Sequence, residues 1–180
     1  FIALRLVRTY QQKGDQTAAM KTLRNAIDAN PNDKGLHFAY SNMLLESKSS
    51  DSGEILYHLK RSFRQGDANY TAQLLYAREH YISGDFAESK RLFAELRNVR
   101  LSPEWRDRMQ YPMEKVSQGI VTNIEATYFF VRVDVTNESL YVHKTGCDES
   151  LWNELQRGLR VKFNIAFSMR GPGGVNVSKA

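Results

Sequence analysis

The spacing of apolar residues changes near residue 117, and this change limits the folds that are open to the chain. Up to about residue 116, apolar residues recur every three or four positions, which is typical of one face of an α-helix. From about residue 118 they alternate with polar residues, as in a β-strand with one buried face. A chain of 180 residues is long enough for two small domains. We therefore predict an α+β protein with a helical domain over 1–116 and a β domain over 117–180.

The helical half repeats itself after 70 residues. Gly14 and Asp15 separate two predicted helices, and Gly84 and Asp85 recur at the same place in a later pair. Glycine closes a helix and aspartate caps the next one. A third pair, with a longer polar connection over 47–53, fits between them. The repeated pattern places these residues on the helix faces: Ile2, Leu6 and Tyr10, then Ala19, Leu23, Ala26 and Ile27, then Tyr40, Ser41 and Leu44, then Ile55, Leu59 and Ser62, and finally Ser89, Phe93 and Leu96.

Seven positions of the first helical pair carry a family pattern: Leu6, Tyr10, Gly14, Ala19, Leu23, Ala26 and Pro31. In this spacing they resemble the tetratricopeptide (TPR) repeat, and the resemblance covers about residues 1–100. It departs at Val7, where the family prefers a small residue, and the second unit is degenerate. The resemblance implies an array whose concave groove holds a peptide or a partner protein; a generic array of helical hairpins is the alternative.

The helical half has two further features, an additional helix at its end and a set of basic residues. Ser102 and Pro103 begin a further helix, which we expect to cap the array and to end or kink at Pro112. Basic residues along the second helices form either a stripe for an acidic partner or a solvated face; they are Lys60, Arg61, Arg64, Lys90, Arg91, Arg97 and Arg100.

Five short segments in the second half have the composition of strands. Turn-forming residues over 136–139, 156–158 and 170–174 separate them. A small sheet of five strands has exposed edges unless it closes on itself. We therefore predict a five-stranded barrel with strands over 119–124, 128–133, 140–143, 161–167 and 175–177. A short helix over 148–152 brings Trp152 either to the end of the barrel as a plug or to its surface as a base platform.

Landmarks of these strands keep a distinctive order: Gly119 and Val121; Tyr128, Phe129, Phe130 and Val131; Leu140, Tyr141, Val142 and His143; Gly158 and Leu159; Val161 and Phe163; Gly171 and Pro172; Asn176 and Val177. In this order they resemble the cold-shock domain, a five-stranded OB-fold barrel. The resemblance implies that the barrel binds single-stranded nucleic acid, RNA or DNA, on exposed rings of two adjacent strands.

The resemblance assigns four rings to that surface, namely Tyr128 and Phe130 on one strand and Tyr141 and His143 on the next. Residues two apart on a strand share a face, so the four rings are expected to form one patch. Bases stack on such rings with little sequence preference. The basic residues expected to meet phosphates are Arg132, Lys144, Lys162 and Arg170. Packing of these rings against the helical half is the alternative.

The second half also departs from the cold-shock pattern. Asn123 and Thr122 stand where the family has a tryptophan and a lysine, and Ala126 replaces another lysine. Phe129 replaces a glycine, and Lys144 replaces an aromatic residue. With two stacking rings fewer, we expect weaker binding to a shorter stretch of nucleic acid.

Composition narrows the remaining possibilities. Cys147 is the only cysteine, which excludes an intramolecular disulfide and a cysteine-cluster zinc site. The sequence has no motif of a metal, cofactor or catalytic site and no membrane-spanning run, so we expect a cytoplasmic, non-catalytic chain without cofactor. A net charge of +5 suits a nucleic-acid partner.

We interpret the chain as the C-terminal module of a larger protein, in which an upstream catalytic domain is possible. The repeats are expected to recruit a protein or to position the barrel. The alternative is a scaffold for protein interactions whose barrel is structural and packs on the repeats.

Overall fold

A computed structural model describes residues 2–47, 51–64 and 66–180. The helices are α1 (Ile2–Gln12), α2 (Gln16–Ala29), α3 (Lys34–Glu46), α4 (Ser52–Arg61), α5 (Tyr70–Ile82), α6 (Phe86–Arg97), α7 (Pro103–Arg106) and α8 (Glu149–Glu154). The strands are β1 (Val116–Ile124), β2 (Tyr128–Val133), β3 (Ser139–His143), β4 (Arg160–Ser168) and β5 (Gly171–Lys179). The structure is thus α+β in two parts, as predicted. Residues 48–50 of the predicted polar connection lie outside the described residues.

The chain divides into two compact units, Phe1–Leu92 and Phe93–Ala180. The boundary predicted from the sequence lies at 116/117, where the periodicity changes. The difference concerns residues 93–116, which the contacts assign to the second unit. The ring of Phe93 stacks on that of Phe167 in β4, with centroids 6.2 Å apart and planes 12° from parallel. Arg97 donates from Nε to the carbonyl of Arg170 at 2.6 Å.

The core of the first unit contains the predicted positions of α2, α3 and α4. Ala19, Leu23, Tyr40, Leu44, Ile55 and Leu59 are all buried in one cluster. The face of α1 that carries Ile2 and Leu6 is not the buried one, because these residues are 84% and 42% exposed. The buried face of α1 is instead centred on Val7, with Ala3, Leu4 and Tyr10 packed beside it. The two faces differ by one residue of rotation, and the apolar spacing of α1 suits both.

The 70-residue repeat in the sequence is also a repeat of local structure. Gly14 and Gly84 both have positive φ angles, of 76° and 87°. Their neighbours repeat the same backbone bond, from Asp15 N–H to Tyr10 O at 2.9 Å and from Asp85 N–H to His80 O at 2.8 Å. The Asp15 carboxylate then accepts from Ala18 N–H and caps α2. The predicted glycine-aspartate turns are therefore confirmed.

Two histidines, His37 of α3 and His58 of α4, are buried where these helices meet. Their Nδ1 atoms are 2.8 Å apart, and Nε2 of His37 donates to the carbonyl of Pro31 at 3.0 Å. Because that carbonyl only accepts, the neutral His37 ring presents a bare Nδ1, to which His58 donates. With both rings neutral, the contact between them thus has one donor and one acceptor.

The five strands of the second unit close into a barrel in the order β1-β2-β3-β5-β4. All pairs are antiparallel except β3 with β5. This confirms the predicted closed five-stranded barrel, whose architecture is consistent with an OB-like fold. Alternate residues of β2 fill its interior, with Phe129, Val131 and Val133 buried. Tyr128, Phe130 and Arg132 therefore point outward.

Two local predictions for the second unit were wrong. The glycine-rich segment 170–174 is a turn only at its start, because β5 already begins at Gly171. The absent side chains let strands approach closely: a Cβ on Gly174 would lie 2.8 Å from Cγ2 of Val142. The helix that begins at Pro103 has a single turn and ends at Arg106, well before Pro112.

Candidate nucleic-acid interface

The pairing of β2 with β3 places the four predicted rings on the outside of the barrel. Tyr128 lies opposite His143, and Phe130 lies opposite Tyr141. Alternation along each strand puts all four on the outer side, while Phe129 and Val142 between them are buried, as is Leu140 before Tyr141. We call Tyr128, Phe130, Tyr141 and His143 the ring face.

The rings of this face touch one another. Tyr128 and Tyr141 lie diagonally across the two strands, with centroids 5.2 Å apart and planes 35° from parallel. Phe130 stands nearly perpendicular to Tyr128, at 5.7 Å. The centroids of Tyr141 and His143 are 6.5 Å apart. Tyr141 is 41% exposed, and His143 is also exposed, whereas Tyr128 and Phe130 are half-buried. The ring face therefore offers flat apolar surface to solvent, and its most exposed rings are those of Tyr141 and His143 on β3.

A bulge in β1 determines what borders the rings on one side. Its register shifts between Val121 and Asn123, so that Asn123 lies opposite Phe130 on the outer side. The Asn123 amide donates to Glu125 and accepts from Arg157, each at 2.9 Å. Where the cold-shock pattern has a tryptophan, this chain thus has a small polar cluster. It brings the guanidinium of Arg157 beside the rings, a residue that the sequence analysis did not single out.

The orientation of His143 is fixed by the turn that follows it. Its Nδ1 accepts from the backbone N–H of Thr145 at 3.3 Å and lies 2.9 Å from the Thr145 hydroxyl. A backbone amide can only donate, so the neutral ring carries its proton on Nε2. The free Nε2–H is a hydrogen-bond donor at the edge of the ring face.

Phe129, the departure from the family's glycine, is fully buried inside the barrel. It therefore takes no part in the ring face. Its ring lies 6.2 Å from that of Trp152 in α8. Asp148 caps this helix, as its carboxylate accepts from Leu151 N–H at 2.7 Å. Leu151 of this helix is buried, and Trp152 is half-buried.

Two of the predicted basic residues border the ring face. Arg132 follows Phe130 by two residues on the outer side of β2, between Ile120 and Ser139 of the neighbouring strands. Among the described residues it has no acidic partner. Lys144 follows His143 directly, and its ammonium lies 5.2 Å from the Trp152 ring centroid.

The other two predicted basic residues lie in different surroundings. Arg170 is close to Tyr141 but pairs with Asp107 at 2.6 Å, which offsets its charge. Lys162 lies opposite Gln118, five residues before Asn123 in β1 and so roughly 15 Å along the strand. It lines a separate cleft with Ser178 and Lys179. The structure does not bring Lys162 to the ring face.

Burial shifts the pKa of two titratable groups near the rings. Burial raises the pKa of the Cys147 thiol, which disfavours the nucleophilic thiolate. Burial also raises the pKa of Tyr141, which keeps its hydroxyl a donor. Among residues 2–47, 51–64 and 66–180, no three ligating side chains gather into a metal site. In the same part of the chain, every helix is too short or too polar to cross a bilayer.

Comparison with known proteins adds no family to this geometry. Neither the protein-family models nor the curated proteins include a match to the chain.

Proposed function

We propose that this chain binds single-stranded nucleic acid on the ring face of its barrel. The observation that carries the proposal is the contact between four outward-facing rings, two from each of two paired strands. Each stacked base contributes about 1–3 kcal/mol, and every base has a π-face, so binding is tolerant of sequence. Arg132 and Lys144 border the rings and attract phosphates.

The proposal also assigns the two parts of the chain to families. The barrel's strand order and ring positions support a cold-shock-like OB-fold, and the repeated glycine-aspartate turn supports TPR-like helices. The barrel supplies the nucleic-acid contact, and the repeats recruit a protein partner or position the barrel. This segment acts by binding and not by catalysis.

Fluorescence anisotropy with labelled single-stranded DNA and RNA, about 8 nucleotides long, tests the proposal at low and at moderate salt. The double variant Tyr128→Ala with Phe130→Ala removes two stacks and is expected to weaken binding at least about 30-fold. Tyr57→Ala is the matched control, because it removes a 49% exposed ring of the helical unit. Circular dichroism checks that each variant is folded.

Two results would count against the proposal. One is the absence of binding at low salt; the other is binding that the double variant leaves unchanged. A stable protein complex found together with no oligonucleotide binding favours the scaffold function, in which the barrel is structural.

A further inference from the structure

The ring face is bordered on its β1 side by two opposite charges that one amide holds apart. Asn123 lies opposite Phe130 on the outer side of the barrel. Its Oδ1 accepts from Nη2 of Arg157, and its Nδ2 donates to Oε1 of Glu125, each at 2.9 Å. A guanidinium and a carboxylate therefore share one amide next to the same ring. We call Asn123, Glu125 and Arg157 the polar edge.

Backbone hydrogen bonds anchor both ends of the polar edge on the barrel. The N–H of Glu125 donates to the carbonyl of Tyr128 at 2.8 Å. Gly158, which follows Arg157 directly, donates its N–H to the carbonyl of Val121 at 2.9 Å. Selective recognition needs polar groups that are held in one geometry by a rigid support. Here the paired strands of the barrel provide that support.

Both charged groups keep hydrogen-bonding capacity for a ligand. A guanidinium has five N–H donors, and a carboxylate has two acceptor oxygens. The Asn123 amide engages Nη2 of Arg157 and Oε1 of Glu125. Both residues are exposed, and neither has a salt-bridge partner in the part of the chain that the structure describes. The polar edge therefore offers donors beside an acceptor to a molecule that lies over Phe130.

The opposite charges suit the edge of a base better than a phosphate. The carboxylate of Glu125 repels a phosphate and offsets the attraction of Arg157 for it. The edge of a base is uncharged and carries donors and acceptors side by side. A base stacked on Phe130 reaches over Asn123, because residues directly opposite in paired strands have Cβ atoms only about 4.5–5.5 Å apart. Its edge then meets the polar edge.

Guanine matches this order of groups. Its Watson–Crick edge, which is free in a single strand, has the acceptor O6 beside the donors N1–H and N2–H. Arg157 is suited to donate to O6, and Glu125 to accept from the two donors. Adenine and cytosine have an amino group where guanine has O6 and a bare ring nitrogen where guanine has N1–H. With either of them, like groups face each other and stay unpaired. Thymine and uracil match at the first two groups but have a carbonyl in place of the N2 amino group.

We infer that the polar edge recognises guanine at the position stacked on Phe130, with Arg157 donating to O6 and Glu125 accepting from N1–H and N2–H. This inference rests on the proposed function of the ring face. It gives one position of an otherwise sequence-tolerant surface a preference, and it makes Arg157 and Glu125 residues that determine specificity.

Fluorescence anisotropy tests the inference on the whole chain with single-stranded DNA of about 8 nucleotides. One strand consists of cytosine, and two others carry a single guanine or a single adenine at the centre. Adenine is the matched ligand control, since it is also a purine and differs in its edge. We expect the strand with guanine to bind about 5- to 150-fold more tightly than the strand with adenine. Hypoxanthine, which lacks the N2 amino group, should give an intermediate affinity.

Three variants locate the groups that read the base. Arg157→Gln and Glu125→Gln are each expected to bring the ratio of the two affinities, for guanine and for adenine, toward one. Lys162→Gln is the matched control, because it removes an exposed charge away from the rings and should leave this ratio unchanged. A general loss of affinity or stability lowers both affinities together, so the ratio reports on recognition alone.

The outcomes separate this inference from the proposed function. Equal binding of the strands with guanine, adenine and cytosine would show that the polar edge reads no base, while the ring face stands. A guanine preference that both Arg157→Gln and Glu125→Gln retain also overturns the inference, since another group then reads the base. If no strand binds at low salt, the proposed function fails and the inference fails with it.

Discussion

Single residues determine how closely the strands of the barrel approach. Gly119 of β1 faces Val133 of β2, and a Cβ built on it would lie 2.7 Å from Cγ1 of Val131 and closer still to the carbonyl of Arg132. A backbone carbonyl in a paired strand cannot move aside as the end of a flexible side chain does. A glycine is therefore required here for space, whatever its backbone angles.

We expect Gly119→Ala to lower the free energy of unfolding of the barrel by roughly 1–3 kcal/mol, the usual cost of overpacking. Thermal unfolding followed by circular dichroism in the strand region measures it. Gly35→Ala is the control, since its Cβ would meet only side-chain atoms, the nearest being Oδ1 of Asp33 at 3.2 Å. Equal stability of the two variants would contradict the steric argument.

Pairs of elements hold the helical unit together, and α3 and α4 do so partly through the two histidines. Burial, together with the neighbouring His37, lowers the pKa of His58 from 6.5 to about 4. Glu54 acts in the opposite direction, while Arg61 and Arg24 add to the lowering. The folded chain therefore holds the neutral ring, whereas the unfolded chain takes up a proton at a higher pH.

The pH dependence of this pair has a definite sign. Between the two pKa values the unfolded state binds more protons, so stability is full above pH 6.5 and is lost as the pH falls toward 4, by about 3 kcal/mol at most. Urea unfolding of the helical signal at several pH values measures this. His58→Asn keeps a donor for His37 without titrating, and its stability should fall less steeply. Parallel curves for the two proteins would contradict the role of His58.

Elements also show where a local sequence pattern does not decide the structure. In α1 the apolar residues Ile2, Ala3, Leu6 and Val7 occupy two adjacent faces, and only packing against the neighbouring helices selects Ala3 and Val7. In β5 the glycines resemble a turn. They are strand residues. Glycine is needed in this strand because its neighbours are close: a Cβ on Gly173 would lie 3.0 Å from both Met109 Cε and the carbonyl of Tyr141. In each case the deciding neighbour is distant in sequence.

For the molecule as a whole, the net charge of +5 overstates the charge available to a nucleic acid. Arg160 and Arg170 are paired with Asp134 and Asp107. Lys162 lies away from the rings. The cations that border the ring face are Arg132, Lys144 and Arg157. Binding should therefore depend more on stacking than on charge.

This balance predicts a shallow dependence of affinity on salt. With two or three phosphates neutralised, the logarithm of the affinity should fall with that of the salt concentration with a slope of about −2 for a single strand. Arg132→Gln is expected to reduce this slope by about 0.7, while Lys162→Gln, the matched control, leaves it unchanged. Anisotropy over a salt series measures all three proteins. A slope several times steeper would show that cations outside the ring face take part.

The sequence by itself determined the two-part architecture, the glycine-aspartate turns, the strand β2 over Tyr128–Val133 and the common face of Tyr128 and Phe130. These features follow from periodicity and from local backbone preferences, which are properties of neighbouring residues. Only the tertiary structure decided the bulge that brings Asn123 and Arg157 beside Phe130 and the separation of Lys162 from the rings. Those depend on strand register and barrel closure, where residues far apart in sequence meet.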